Sequence, residues 1–156
     1  MTHLTDTKDR YSFDELLEVM ERLLRPDGCP WDQKQTLQTL KAYLIEETYE
    51  VLEAIEEGDP DHHREELGDL LFQVVFQTAL RRREGAFDMD DVVTGIAQKL
   101  VRRHPHVFGD EHADTPDEVR DRWGELKQQE AQRKGERRRT LDGVPRHLPG
   151  LLRAQR

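Results

Sequence analysis

An all-α domain with a four-helix-bundle core is the fold this sequence predicts, and three observations predict it. Apolar residues recur at three- and four-residue intervals in several long stretches, the spacing of helix faces. No run alternates apolar and polar residues for long enough to suggest a sheet. The composition, 37% charged against 35% hydrophobic with a formal net charge of −9 over 156 residues, suits helices with narrow apolar stripes and solvated outer faces.

Ser12 reads as the cap of a first helix over about 13–24, with Glu15 in capping-box position and Phe13, Leu16, Leu17, Met20, Leu23 and Leu24 at helical spacing. Pro26, Gly28 and Pro30 end it. A second helix is expected over about 36–57, closed by Gly58, and a third over about 60–83, opened by Asp59-Pro60. The third contains LLFQVVFQTAL, apolar around most of its circumference, and is expected to be central. A fourth, over about 88–103, stops before His104-Pro105, because proline disfavours helical geometry in the residue ahead of it. After a loop through Phe108 and Gly109, Thr115-Pro116-Asp117-Glu118 opens a last helix over about 116–133, whose thin apolar stripe suggests a surface position or a partner.

The length fits one domain, expected over 1–134, with 135–156 as a linker or C-terminal tail. From Arg133 onward eight Lys or Arg face two acids, so residues 133–156 carry +6 and residues 1–132 carry −15. Such an acidic body argues against non-specific binding to nucleic acid or to an anionic membrane. The single cysteine, Cys29, excludes an intrachain disulfide framework, and no stretch approaches a membrane span. A cytoplasmic protein is expected. Four short amphipathic helices leave apolar surface over, and a dimer is the expected remedy.

Two carboxylate clusters interrupt this pattern. Glu46, Glu47 and Glu50 lie on the second helix and Glu66 and Asp69 on the third. Glu47 takes a core slot in the seam Leu37, Leu40, Leu44, Glu47, Val51, Ala54. A buried unpaired carboxylate costs several kcal/mol, on the order of the desolvation penalty for an ion. A divalent cation shared by several such groups removes that cost. Glu47 and Asp69 lie equally far from Gly58, as do Glu50 and Glu66, so a helical hairpin would bring the pairs together. All-oxygen ligands without Cys or His favour a hard cation, Mg²⁺ or Mn²⁺. A di-iron carboxylate bundle is the nearest rival, but its Glu-x-x-His pairs are absent. Glu53, Glu56, Glu57 and Glu65 read as solvated surface. His104 and His106 read as loop structure rather than a zinc site, and Cys29 as structural.

These residues resemble the MazG family of nucleoside triphosphate pyrophosphohydrolases. The likeness rests on Glu46-Glu47-x-x-Glu50 followed by Glu66-x-x-Asp69, and extends through GCPWDQKQT, LIEETYEVLEAIEEGD, ELGDLLFQVVFQ and KLVRRHPHVFGD. The resemblance implies hydrolysis of an NTP or dNTP to the monophosphate and pyrophosphate, with Mg²⁺ (or Mn²⁺ in its place) held by carboxylates in a homodimer or higher homo-oligomer. Matched by motif, Glu47, Glu50, Glu66 and Asp69 would be metal ligands, with Glu46 and Glu50 the candidates for handling the attacking water. The same resemblance puts Lys99, Arg103 and Lys127 near the triphosphate, with Arg102 and Lys34 as further cations. Trp31 and Trp123 are candidates to stack on a base, or to pack as core aromatics. Family members with two such domains in tandem offer the alternative of a non-catalytic nucleotide-binding, dimerisation or regulatory half.

Overall fold

The computed structural model describes residues 9–133, and the expected tail over 135–156 lies outside them. Among the described residues the regular structure is helical throughout, with no strand. They form two compact units that divide at Gly95–Ile96, inside the fourth helix.

The first unit begins with α1 (Phe13–Leu24). Ser12 Oγ accepts from the Glu15 N–H at 3.2 Å, and the Glu15 carboxylate accepts from the Ser12 N–H at 2.9 Å, so two otherwise orphaned donors are satisfied reciprocally. Ser12→Ala is expected to cost about 1 kcal/mol and to lower the thermal midpoint by about 2–4 °C, measured by circular dichroism. At the other end of α1 the chain turns back sharply, with the Cys29 N–H donating to the Leu23 carbonyl at 2.7 Å. A side chain at Gly28 would collide there with the Leu23 and Arg22 carbonyl oxygens, so the turn requires glycine.

A short 3₁₀ turn (Asp32–Lys34) leads to α2 (Leu40–Glu57). The regular helix starts later than its periodicity suggests. Thr36 and Thr39 bond reciprocally, each hydroxyl accepting the other's N–H at 3.0 and 3.2 Å, and this holds the segment as a turn ahead of Leu40. Gly58 ends α2 in the left-handed region at φ 73°. Asp59 caps α3 (Pro60–Arg83), whose first residue is proline. The short link makes α2 and α3 an antiparallel hairpin.

The core of this unit joins Met20 and Leu24 of α1, Leu40 of α2, Val75 and Phe76 of α3, and Met89 at the start of α4 (Met89–Arg103). Val51 and Ala54 continue the buried side of α2. The circumference of α3 is only partly enclosed: Leu67, Leu71 and Val74 are exposed, as are Ile45, Tyr49, Leu52 and Ile55 on α2. The other helices of the unit cover one side of the hairpin, which leaves these rows open.

In the second unit, the remainder of α4 stops at Arg103. The expected loop beyond it contains a single helical turn, α5 (Pro105–Phe108), because proline is tolerated where the first N–H groups have no helical partner. In α6 (Pro116–Arg133) the Glu118 N–H donates to Thr115 Oγ at 3.3 Å, and the Glu118 carboxylate accepts from the Asp114 N–H at 3.0 Å, one residue earlier than a capping box would have it. No helix among the described residues is long and apolar enough to cross a membrane.

Candidate metal centre

Gly58 sets the register of the site. Glu47 lies eleven residues before it and Asp69 eleven after; Glu50 and Glu66 lie eight before and eight after. At about 1.5 Å per helical residue, each pair stands at matching height on the antiparallel hairpin. Carboxylate oxygens of Glu47, Glu66 and Asp69 come within 4.8 Å of one another. Glu47 and Glu66 are partly buried and Asp69 is exposed, so the cluster has a sheltered floor and an open mouth. Gly68, between the two α3 acids, has open space beside it.

The electrostatics of this arrangement are unfavourable without a cation. Burial pushes the Glu47 carboxyl above its ordinary value of 4.5, the charge of Asp69 adds to the rise, and a hydrogen bond and repulsion from Glu50 add further. One contact acts in the opposite sense: the Gln73 amide donates from Nε2 to Glu47 Oε1 at 3.4 Å. Three convergent oxygen donors, with no thiolate or imidazole among them, fit a hard divalent cation.

The remaining sequence candidates are placed as follows. Glu50 is exposed and adjoins Glu47 as its hydrogen-bond and charge partner, outside the three-residue convergence. Glu46 is exposed on α2. Trp31 is half exposed, edge-on to Tyr43 with ring centroids 5.8 Å apart, and Lys34 is exposed at the end of the 3₁₀ turn. In the second unit Lys99 is exposed, while Arg102 and Arg103 both donate to Glu130, at 2.7 Å and 2.6 Å. Lys127 Nζ sits 4.8 Å from the centroid of the Trp123 ring, a cation–π contact, and His104 meets the same ring edge-on at 5.6 Å. Trp123 Nε1 is buried without a hydrogen-bond partner among the described residues.

The two guanidiniums, Arg103 first, hold the Glu130 carboxyl down at about 2. A carboxyl depressed on folding stabilises the fold above its ordinary value of 4.5, and that contribution is lost as pH falls from there through about 2. Glu130→Gln is therefore expected to lower the thermal midpoint at pH 7. The difference from the unmodified protein should shrink toward zero near pH 2, as measured by thermal denaturation at both pH values.

Two residues at the cluster have no counterpart among the sequence candidates. His62 bridges two acids, with Nδ1 2.8 Å from Glu57 Oε2 and Nε2 3.1 Å from Glu66 Oε1, and its pKa is raised, chiefly by the Glu57 hydrogen bond. Gln73 is buried beside Glu47. Spacing is the signal that reveals both: His62 lies four residues before Glu66, and Gln73 four after Asp69, so all four share one face of α3.

Comparison with known proteins points to one family. The profile of the MazG nucleotide pyrophosphohydrolase domain matches residues 35–108, the stretch that holds every acid of the cluster. The chain is 51% identical over 144 residues to a nucleoside triphosphate pyrophosphohydrolase of Escherichia coli (strain K12), covering 92% of this chain and 54% of that protein. It is 47% identical over 145 residues to the nucleoside triphosphate pyrophosphohydrolase/pyrophosphatase MazG of Thermotoga maritima, with the same coverages of 92% and 54%. The chain thus spans about half the length of these curated relatives. Among solved structures, that of a mazG-related protein from Thermotoga maritima matches with a TM-score of 0.63 and 32% identity, over 74% of this chain and 98% of that one. With its helical fold and these likenesses, the chain belongs to the MazG family.

Proposed function

We propose that this chain hydrolyses nucleoside triphosphates, NTP or dNTP, to the monophosphate and pyrophosphate, using Mg²⁺ or Mn²⁺ held by Glu47, Glu66 and Asp69 with Glu50 beside them. The observation that carries the reading is the convergence of the three carboxylates on one small volume at the open side of a helical hairpin. The names of the E. coli and T. maritima relatives support the same reaction.

A bound divalent cation would supply positive charge against the triphosphate oxygens in a strongly acidic protein. The chain's own groups supply position and proton handling. Glu47, Glu66 and Asp69, fixed on two rigid helices, set where the phosphates can sit. Glu50 or Glu46, both exposed on α2, takes a proton from water as its oxygen bonds to the α-phosphorus. The bond between the α-phosphorus and the bridging oxygen breaks, and pyrophosphate leaves with the bonding electrons. Lys99 and Lys127 are the proposed triphosphate contacts. Arg102 and Arg103 can serve there only by exchanging the Glu130 carboxylate for phosphate. Trp123, whose indole N–H is unpaired among the described residues, and Trp31 are proposed to contact the base, and Lys34 is a further cation.

A cytoplasmic setting, where nucleotides abound and a free thiol such as Cys29 persists, belongs to the same reading, as does the absence of a nucleic-acid or membrane partner. The open rows on α2 and α3 support a homodimer or larger homo-oligomer. Light scattering coupled to size exclusion should give a mass of at least twice 18.4 kDa; a monomer at micromolar concentration contradicts that part.

Turnover in ¹⁸O-water tests the chemistry. Attack at the α-phosphorus places one ¹⁸O in the monophosphate and none in the pyrophosphate, read by mass spectrometry. Label in pyrophosphate, or in inorganic phosphate released from a nucleoside diphosphate, overturns the assignment.

A further inference from the structure

Gln73 is buried on α3, at 4% exposure. Its Nε2 reaches Glu47 Oε1, and its Oε1 is buried with no hydrogen-bond partner among the described residues. A buried amide whose carbonyl goes unsatisfied is unfavourable for folding, and methionine or leucine would fill the same space without that penalty. The penalty has a local explanation. Turning the amide over would set its carbonyl against a carboxylate, acceptor against acceptor, so Glu47 dictates which end faces it.

We propose that Gln73 is a positioning residue that braces Glu47 for a divalent cation, an inference that rests on the metal-binding reading above. The placement suits this role. Gln73 lies four residues after Asp69 and seven after Glu66, on the α3 face that carries both acids, and reaches across the hairpin to the third. Gln73 is buried, whereas Asp69 of the same cluster is exposed. At 3.4 Å the contact lies at the long end of the hydrogen-bond range. Partners of this kind, bonded to a ligand rather than to the metal, commonly influence affinity by ten- to a hundredfold.

The test is Mn²⁺ binding to the purified chain, followed by loss of the free-ion electron paramagnetic resonance signal, together with thermal unfolding in chelator. Gln73→Met keeps the length of the side chain and removes the donor; Gln73→Leu is run beside it. Both are expected to weaken Mn²⁺ binding about tenfold, with an unfolding midpoint in chelator equal to or above that of the unmodified chain. In a Glu47→Gln background, where the carboxylate is already gone, Gln73→Met should change the dissociation constant less than about twofold, as a shared pathway requires.

Unchanged Mn²⁺ affinity in both Gln73 variants, with Glu47→Gln still weakening it, overturns the brace and leaves the metal site standing. An equal loss in both backgrounds, or unfolding of both single variants, assigns Gln73 a structural role and overturns the brace as well. Binding indifferent to Glu47→Gln and Asp69→Asn removes the metal reading, and the brace falls with it.

Discussion

Glu47→Gln is expected to reduce metal-dependent turnover by at least about 10³-fold, equivalent to about 4 kcal/mol of transition-state stabilisation, while the helical fold survives. The substitution keeps the volume and removes a charge. Glu47 is the acid on which the strain of the cluster falls, since burial raises its pKa before Asp69 and Glu50 add their repulsion. With a cation present, that charge is the favourable half of an ion contact. In chelator it is a partly buried, repelled carboxylate, so Glu47→Gln should unfold at the same temperature as the unmodified chain or slightly above it. Steady-state rates over a Mg²⁺ series, with thermal melts in chelator, separate the two effects. Near-normal turnover at limiting Mg²⁺ would remove Glu47 from the ligand set.

Phe76→Ala should show the opposite pattern. Phe76 is fully buried in α3 and packs against Phe72 with ring centroids 5.5 Å apart. It shares the core with Met20 and Leu24 from α1 and Met89 from α4, so its ring fills space between three helices. Truncation to alanine is expected to cost about 3–5 kcal/mol, a large part of a typical total of roughly 5–15. The thermal midpoint should fall on the order of 10 °C. Below that midpoint, turnover per folded molecule should stay close to normal, because the carboxylates lie on the hairpin and not in this cluster. A midpoint shift under about 2 °C would show that the site repacks and that Phe76 does not hold the helices together.

The pair shows why some of this protein was legible from sequence and some was not. Helix ends with a chemical marker were readable: the Ser12–Glu15 box, Gly58 and Asp59-Pro60 delimit α1, α2 and α3 where expected. The start of α2 was not, because the apolar spacing of Leu37 and Leu40 continues through a turn held by two threonine side chains. The turn at Pro105 was hidden for the converse reason, since proline reads as a stop yet is also a good first residue.

At the candidate metal centre, Glu47, Glu66 and Asp69 stood out because charge in an apolar seam is costly and the hairpin register is symmetric about Gly58. Glu50 has the same symmetry but stands as a hydrogen-bond and charge partner of Glu47 outside the three-residue group, and spacing alone does not give that. Gln73 and His62 went unnoticed because an amide in an apolar run and a histidine near a turn are ordinary in composition. Their meaning lies in what stands four residues away. For Arg102 and Arg103 the sequence offered cations near a triphosphate, whereas their partner, Glu130, comes from a separate helix that periodicity cannot align with α4.

Whether this chain converts nucleoside triphosphates is decided most directly by one measurement. The purified chain is incubated with each NTP and dNTP, in Mg²⁺ or in chelator, and the products are separated by anion exchange, with Asp69→Asn beside it. Monophosphate and pyrophosphate in equal amounts, formed in Mg²⁺ and lost both in chelator and in Asp69→Asn, is the predicted result. Metal-dependent nucleotide binding without turnover of any triphosphate would contradict it, and would make this chain the binding half of a longer protein.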